Sequence, residues 1–196
     1  MNEKIKHDKI RVGLIYGSTR SGRFCDKVGG WAAEQIRNNE RFELDVIDPA
    51  VPELPSWDEP SGGADRPSLQ RRIAEADAFV VVTPEYNHGY PAPLKALIDS
   101  VGPEWHAKPV AFVSYGGISG GLRAVEQLRL VFAELHMVTI RDAVSFSSAW
   151  EQFDQAGKLL DPERATRSMD ALLARLHWWA TALRSARGVD PYSRAA

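Results

Sequence analysis

The chain is poor in cysteine, in net charge and in long apolar runs, and each shortage removes a class of protein. A single cysteine, Cys25, in 196 residues excludes an internal disulfide and any zinc or iron–sulfur site built on several thiolates. No metal centre is therefore expected, and redox work would need an organic cofactor. A net charge of -2 offers no basic field for a nucleic-acid backbone. No apolar run reaches bilayer-spanning length, and the opening MNEKIKHDKIR lacks the apolar segment of a signal peptide. The expectation is a cytoplasmic protein that acts on small molecules, with neither a nucleic-acid nor a membrane partner.

What is present fits one globular α/β domain over residues 1–196, with 1–9 as a flexible leader and 187–196 as a flexible tail. The run Ile10–Tyr16 is apolar and β-branched and stops at Gly17-Ser18, as a buried strand does. Helical spacing follows over residues 22–38, and Phe42, Leu44 and Val46 alternate with Glu43 and Asp45 in a second strand before Asp48-Pro49. Residues 49–67, rich in Pro, Gly and Ser, form an unusually long loop, read as a functional flap or a mobile cover. Further strands are predicted over 78–82, 110–115 and near 137–140, with helices carrying Leu94, Leu97, Ile98 and Val101 and then Leu122, Val125, Leu128, Phe132 and Leu135. The last helix is expected to open with an Asp161 N-cap and a first-turn Pro162. Its apolar stripe centres on Leu176, which leaves Trp178 roughly 200° away, facing solvent. Alternating strands and helices specify a parallel sheet covered on both faces, either of flavodoxin-like order or half of a longer Rossmann sheet. In both, a ligand sits where the strands end at their C-terminal edge.

Three loops belong to that edge. The first, Gly17-Ser18-Thr19-Arg20-Ser21-Gly22-Arg23, runs into a helix, so amides, hydroxyls and two guanidinium groups converge as a phosphate would require. Its glycines lack dinucleotide-binding spacing, and a monophosphate fits better; a plain solvated turn is the competing reading. The second, Thr83-Pro84-Glu85-Tyr86-Asn87-His88-Gly89-Tyr90-Pro91-Ala92-Pro93, offers a stiff backbone edge beside aromatic rings, suited to a flat ligand or simply to a proline-stiffened turn. The third, Ser114-Tyr115-Gly116-Gly117-Ile118-Ser119-Gly120-Gly121, carries four glycines that let a backbone approach a ligand closely, or only make the loop flexible. Cys25 stands near a helix start, where a thiol can titrate low; a small packing residue is the alternative.

The pieces GSTRSGR, PEYNHGYPAPLKALID and EWHAKPVAFVSYGGISGG resemble the NAD(P)H-dependent FMN reductases, a family that includes quinone, azo-dye and chromate reductases. The resemblance covers most of residues 10–135; residues 49–67 and those after about 150 carry no recognised motif. It implies a flavodoxin-like three-layer sandwich with a five-stranded parallel sheet of order 2-1-3-4-5. It places Ser18, Arg20, Arg23 and the backbone of Phe24 on the FMN phosphate. Pro84, Glu85, Tyr86, Asn87 and His88 would pass along the isoalloxazine ring, and Ser114, Tyr115, Gly116 and Gly117 would contact its pyrimidine side. Arg23 departs from the hydroxyl or amide residue common there, and it is expected to add a second positive charge.

The chemistry implied is ping-pong transfer: hydride from NADPH or NADH to FMN, then two electrons to a flavin, quinone, azo dye or chromate. No catalytic side chain and no metal is expected, and a homodimer or homotetramer is. A flavodoxin-type electron carrier is the alternative, disfavoured by the weak net charge and by Arg20. A receiver-like switch lacks its acidic cluster, and a hydrolase lacks its Gly-x-Ser-x-Gly elbow.

Overall fold

A computed structural model of the protein describes residues 9–51 and 66–192. Nearly all of the expected leader, most of the expected 49–67 flap and the last four residues lie outside them. The elements run β1 (Ile10–Tyr16), α1 (Cys25–Arg37), β2 (Phe42–Ile47), α2 (Arg66–Glu75), β3 (Ala78–Pro84), α3 (Ala92–Asp99), β4 (Pro109–Gly116), α4 (Leu122–Glu134), β5 (Val138–Ser147) and α5 (Glu163–Val189). The strands form one parallel sheet in the order β2-β1-β3-β4-β5, the flavodoxin-like alternative.

The central strands are apolar on both faces because both are covered. Val12, Leu14, Val80, Val82, Ala111 and Val113 meet α1 and α5 in one core, through Val28, Trp31, Leu172 and Leu176 among others. Ile15, Phe79, Val81, Val110 and Phe112, the alternate positions, meet α2, α3 and α4 in the other. Register sets the level of the strand ends. Tyr16 of β1 lies opposite Val82, and β4 follows β3 as far as Pro84 opposite Tyr115, so the loops after β1, β3 and β4 leave the sheet side by side.

Several expectations shift. Helix α2 did not stand out in the sequence, although Leu69, Ile73 and Ala76 are spaced as one buried helical face. Its last turn is closed from outside: buried Lys108 donates from Nζ to the carbonyls of Ile73 (2.6 Å) and Ala74 (2.8 Å). Burial holds that ammonium's pKa down to about 8. Strand β5 runs on to Ser147 past a shift in register, where Phe112 pairs with Ala143 although Val110 pairs with Thr139. Helix α1 begins at Cys25 rather than residue 22, because residues 18–24 are spent on the loop. Asp161 does not cap α5: the N-cap is Pro162, with no side-chain cap. At its other end α5 continues to Val189, beyond the expected start of the tail, and Arg187 ties it to the Ala107 carbonyl. Trp178 is exposed as expected, at 62%.

Candidate functional site

The loop after β1 is anchored before it turns outward. Gly17 N–H donates to the Val82 carbonyl at 2.8 Å, which holds the loop's root against β3. Ser18 is buried, its hydroxyl 3.0 Å from that of Tyr86, and the exposed Arg20 lays its guanidinium 3.7 Å from the centre of the Tyr86 ring. Among the described residues no carboxylate pairs with Arg20. Helix α1 opens with no side-chain cap on its first-turn amides. One guanidinium with no carboxylate partner among the described residues, one hydroxyl and a positive helix end together suit a phosphate, although the Asp26 and Lys27 amides already donate to the Arg23 and Phe24 carbonyls.

Arg23 requires a correction. Its guanidinium grips both carboxylate oxygens of Asp48, donates to the Ser18 carbonyl, and reaches Asp26 Oδ1 at 2.8 Å, with only 9% of the side chain exposed. The second positive charge expected at the phosphate is thus already neutralised inside the fold. In the sequence Asp48 marks only the stop after β2; it lies 25 residues from Arg23, with no motif to join the two. Burial raises its carboxyl, but the Arg23 hydrogen bonds and the Ala50 amide more than reverse this, and its pKa falls below the usual carboxylate value.

After β3 the chain makes a tight turn in which Tyr86 and Gly89 exchange both backbone hydrogen bonds, at 2.9 and 3.0 Å. The two residues between them, Asn87 (φ 51°) and His88 (φ 69°), both take left-handed backbone, as a type I′ turn demands and as non-glycine residues rarely do. Both are exposed, and Gln127 Nε2 fixes the turn by donating to the His88 carbonyl at 2.9 Å. Strain held at an exposed loop tip points to a site. Glu85 does not face outward: only 5% of its side chain is exposed. It accepts from Ser119 Oγ (2.8 Å) and the Arg123 amide (3.1 Å), and it pairs with the Arg123 guanidinium. Burial raises this carboxyl, yet Ser119 and Arg123 outweigh that effect and leave its pKa lowered. Glu85 therefore joins the second loop to the third. Pro84 is buried at the end of β3.

In the third loop the four glycines divide. Gly120 (φ 60°) and Gly121 (φ 84°) are required by the fold itself. A Cβ on Gly120 would lie 2.2 Å from Ser145 Oγ, and one on Gly121 would lie 2.8–2.9 Å from Ser114 Cβ and the Tyr115 backbone. On Gly117 a Cβ would meet nothing nearer than the Trp150 ring edge at 3.7 Å, so that glycine alone borders open space. Ser114 and Tyr115, expected near a ligand, turn their side chains inward. Ser114 Oγ donates to the Gly120 carbonyl at 2.8 Å, and the buried Tyr115 ring packs 5.9 Å from Phe24. Burial, with the nearby Cys25 thiol, pushes the Tyr115 phenol far above its usual pKa. Their backbone is paired in the sheet with β3 on one side and β5 on the other. The half-buried Phe24 likewise packs inward, on Tyr115 and Phe153, leaving its backbone on the loop.

Trp150 is a second residue the sequence did not single out. It is 60% exposed on a short 3₁₀ turn, Ala149–Glu151, and Ser148 joins that turn to the glycine loop through an amide 3.0 Å from the Gly117 carbonyl. Cys25 resolves to packing: it is buried against Val82, and burial raises its thiol pKa rather than lowering it.

Comparison with known proteins agrees with this arrangement. The profile of the NADPH-dependent FMN reductases matches residues 10–151. A Schizosaccharomyces pombe protein named as an NAD(P)H-dependent FMN reductase is 37% identical over 151 residues, covering 69% of this chain and 72% of its own. A Solanum tuberosum NAD(P)H:quinone oxidoreductase is 33% identical over 177 residues, covering 84% of this chain and 90% of its own. Among solved structures, a flavoenzyme NAD(P)H:(acceptor) oxidoreductase from Paracoccus denitrificans superimposes with a TM-score of 0.68 at 21% identity, over 88% of this chain and 98% of that one. At that identity it speaks for the fold alone.

Proposed function

The chain belongs to the NADPH-dependent FMN reductase family, whose cofactors are NAD(P)H and FMN, and from that premise we propose that it carries two electrons from NAD(P)H to a small acceptor by a ping-pong route. The observation that supports this reading most is the meeting of three loops at one sheet edge, joined by the Ser18–Tyr86 hydroxyl pair, the Arg20–Tyr86 stack and the Glu85 bonds to Ser119 and Arg123. The residues fit the cofactor. Arg20 and Ser18 supply donors for its phosphate beside the positive end of α1, and Gly117, open where its neighbours are crowded, lets backbone come close to a flat ring.

When bound, FMN supplies the chemistry, taking hydride from the nicotinamide and passing two electrons on. The protein's part is to hold and orient. Pro84 and Glu85 deliver the strained turn of Tyr86, Asn87 and His88 to the ring edge, and β4 carries Ser114, Tyr115 and Gly116, all paired within the sheet, up to Gly117, where the backbone can come close to the ring. Glu85 and Arg123 neutralise each other behind this wall, and the transfer as proposed asks no acid or base of the protein. A one-electron carrier is incompatible with the enzyme family to which the chain belongs. The acceptor is proposed as a quinone, free flavin, azo dye or chromate.

Anaerobic mixing with NADPH tests the reading. The yellow flavin band should bleach within the mixing experiment and return when a quinone is added, and double-reciprocal plots against both substrates should run parallel. A band that persists under excess NADPH and NADH alike would sink the proposal.

Assembly as a homodimer or homotetramer is proposed through the exposed side of α4 and the glycine loop, where Leu130 is 75%, Leu122 50% and Ile118 93% exposed. Light scattering should show Leu130→Asp shifted to lower mass than the parent at micromolar concentration. A parent that is already monomeric there and turns over NADPH at full rate would refute the assembly.

A further inference from the structure

We propose that Asp48 is a positioning residue for the phosphate loop: through the Arg23 guanidinium it fixes the Ser18 carbonyl, and with it the concave backbone on which a phosphate monoester rests. The inference rests on the reading of the site as an FMN site. It assigns a role to a carboxylate that lies just beyond the end of β2 and outside every recognised motif.

The geometry is that of a three-way tie. Arg23 is gripped by both oxygens of Asp48 and at the same time donates to the Ser18 carbonyl, at the start of the loop after β1. Asp48 Oδ1 also accepts the Ala50 amide at 2.9 Å, and the Asp48 carbonyl accepts the Val51 amide at 3.2 Å, so the carboxylate is held by its own turn. Both partners are largely withdrawn from water, with 9% of the Arg23 and 18% of the Asp48 side chain exposed. A planar fork bound to a planar carboxylate has one orientation. Rotation of Arg23 toward a phosphate would abandon a buried carboxylate, which is costly. The remaining contact, with the exposed Asp26, adds charge balance from the α1 side. The loop's cation is thus Arg20, and Arg23 serves its shape.

The test is a comparison of FMN and riboflavin binding, read by quenching of flavin fluorescence, in the parent and in Asp48→Asn, Arg23→Gln, Arg23→Lys and the Asp48→Asn/Arg23→Gln double variant. Each single variant should raise the FMN Kd by about tenfold, and the double variant by about the same rather than a hundredfold, because either change breaks the same tie. Riboflavin, which has no phosphate, should change by less than about twofold. Arg23→Lys is the arm least exposed to folding failure. It keeps the charge and loses the fork, so a positioning role predicts weakened FMN, whereas direct phosphate contact predicts near-parental binding. The inference falls if Asp48→Asn binds FMN as tightly as the parent or more tightly, if the two losses add, or if riboflavin weakens in parallel. A parent that binds neither flavin would instead overturn the site reading itself.

Discussion

Replacing Arg20 with alanine is expected to raise the FMN dissociation constant by about ten- to a hundredfold, because a hydrogen bond assisted by a full charge is worth roughly 1.5–3 kcal/mol. The expectation is sharper than loop composition alone would allow. Of the two arginines in the loop, Arg23 is committed to Asp48, so Arg20 is the basic side chain left to meet a phosphate. Its stack on Tyr86 is an exposed contact that a phosphate can replace at small cost. Riboflavin should bind the variant and the parent almost equally. Equal loss of both flavins would mean that Arg20 acts on the ring through Tyr86, and that the loop does not hold the phosphate.

Replacing Gly117 with valine should abolish flavin binding while the protein stays folded. A first side-chain carbon at that position meets no backbone and only the rim of Trp150 at 3.7 Å, so the fold accepts it, but the branched carbons beyond occupy the opening between the glycine loop and Trp150. The contrast is Gly121→Val, where a side chain would be driven to 2.8–2.9 Å from Ser114 and the Tyr115 backbone in left-handed geometry, and where the fold itself should weaken. Circular dichroism and thermal melting report the fold, and bound flavin absorbance reports the site. Full flavin occupancy in Gly117→Val would place the ring elsewhere.

Most of the framework was legible in the sequence because burial on both faces leaves a continuous signal. Ile10–Tyr16 and Phe42–Ile47 were bounded by turn residues, and the central strands needed only extension at their ends. Where the signal weakens, so did the reading. The second half of β5 is an edge strand whose exposed Arg141, Ser145 and Ser147 interrupt its apolar positions, and α2 buries only Leu69 and Ile73, with Ala76 just after it, amid arginines and glutamate. The three loops were recognised from their residue types, but not how those residues are used. A charge in a loop reads as a ligand contact until its partner is known, and Asp48 and Arg123, the partners of Arg23 and Glu85, lie 25 and 38 residues away. Glycine is equally ambiguous: Gly120 and Gly121 serve the backbone, Gly117 faces open space, and the letters are the same.

The order in which the chain is made gives α5 a further importance. Every recognisable loop lies within residues 10–151, yet one face of the sheet, with Val12, Val80 and Val113, is closed by Met169, Leu172, Leu173, Leu176 and Ala180, which come later. During synthesis all five strands leave the ribosome before their cover does. The nascent chain must therefore shelter an apolar sheet face that the last helix will eventually claim, a period in which chaperone binding and self-association compete with folding. A fragment ending at residue 151 would remain in that condition permanently, retaining the loops that identify the family while leaving exposed the apolar sheet face that α5 covers.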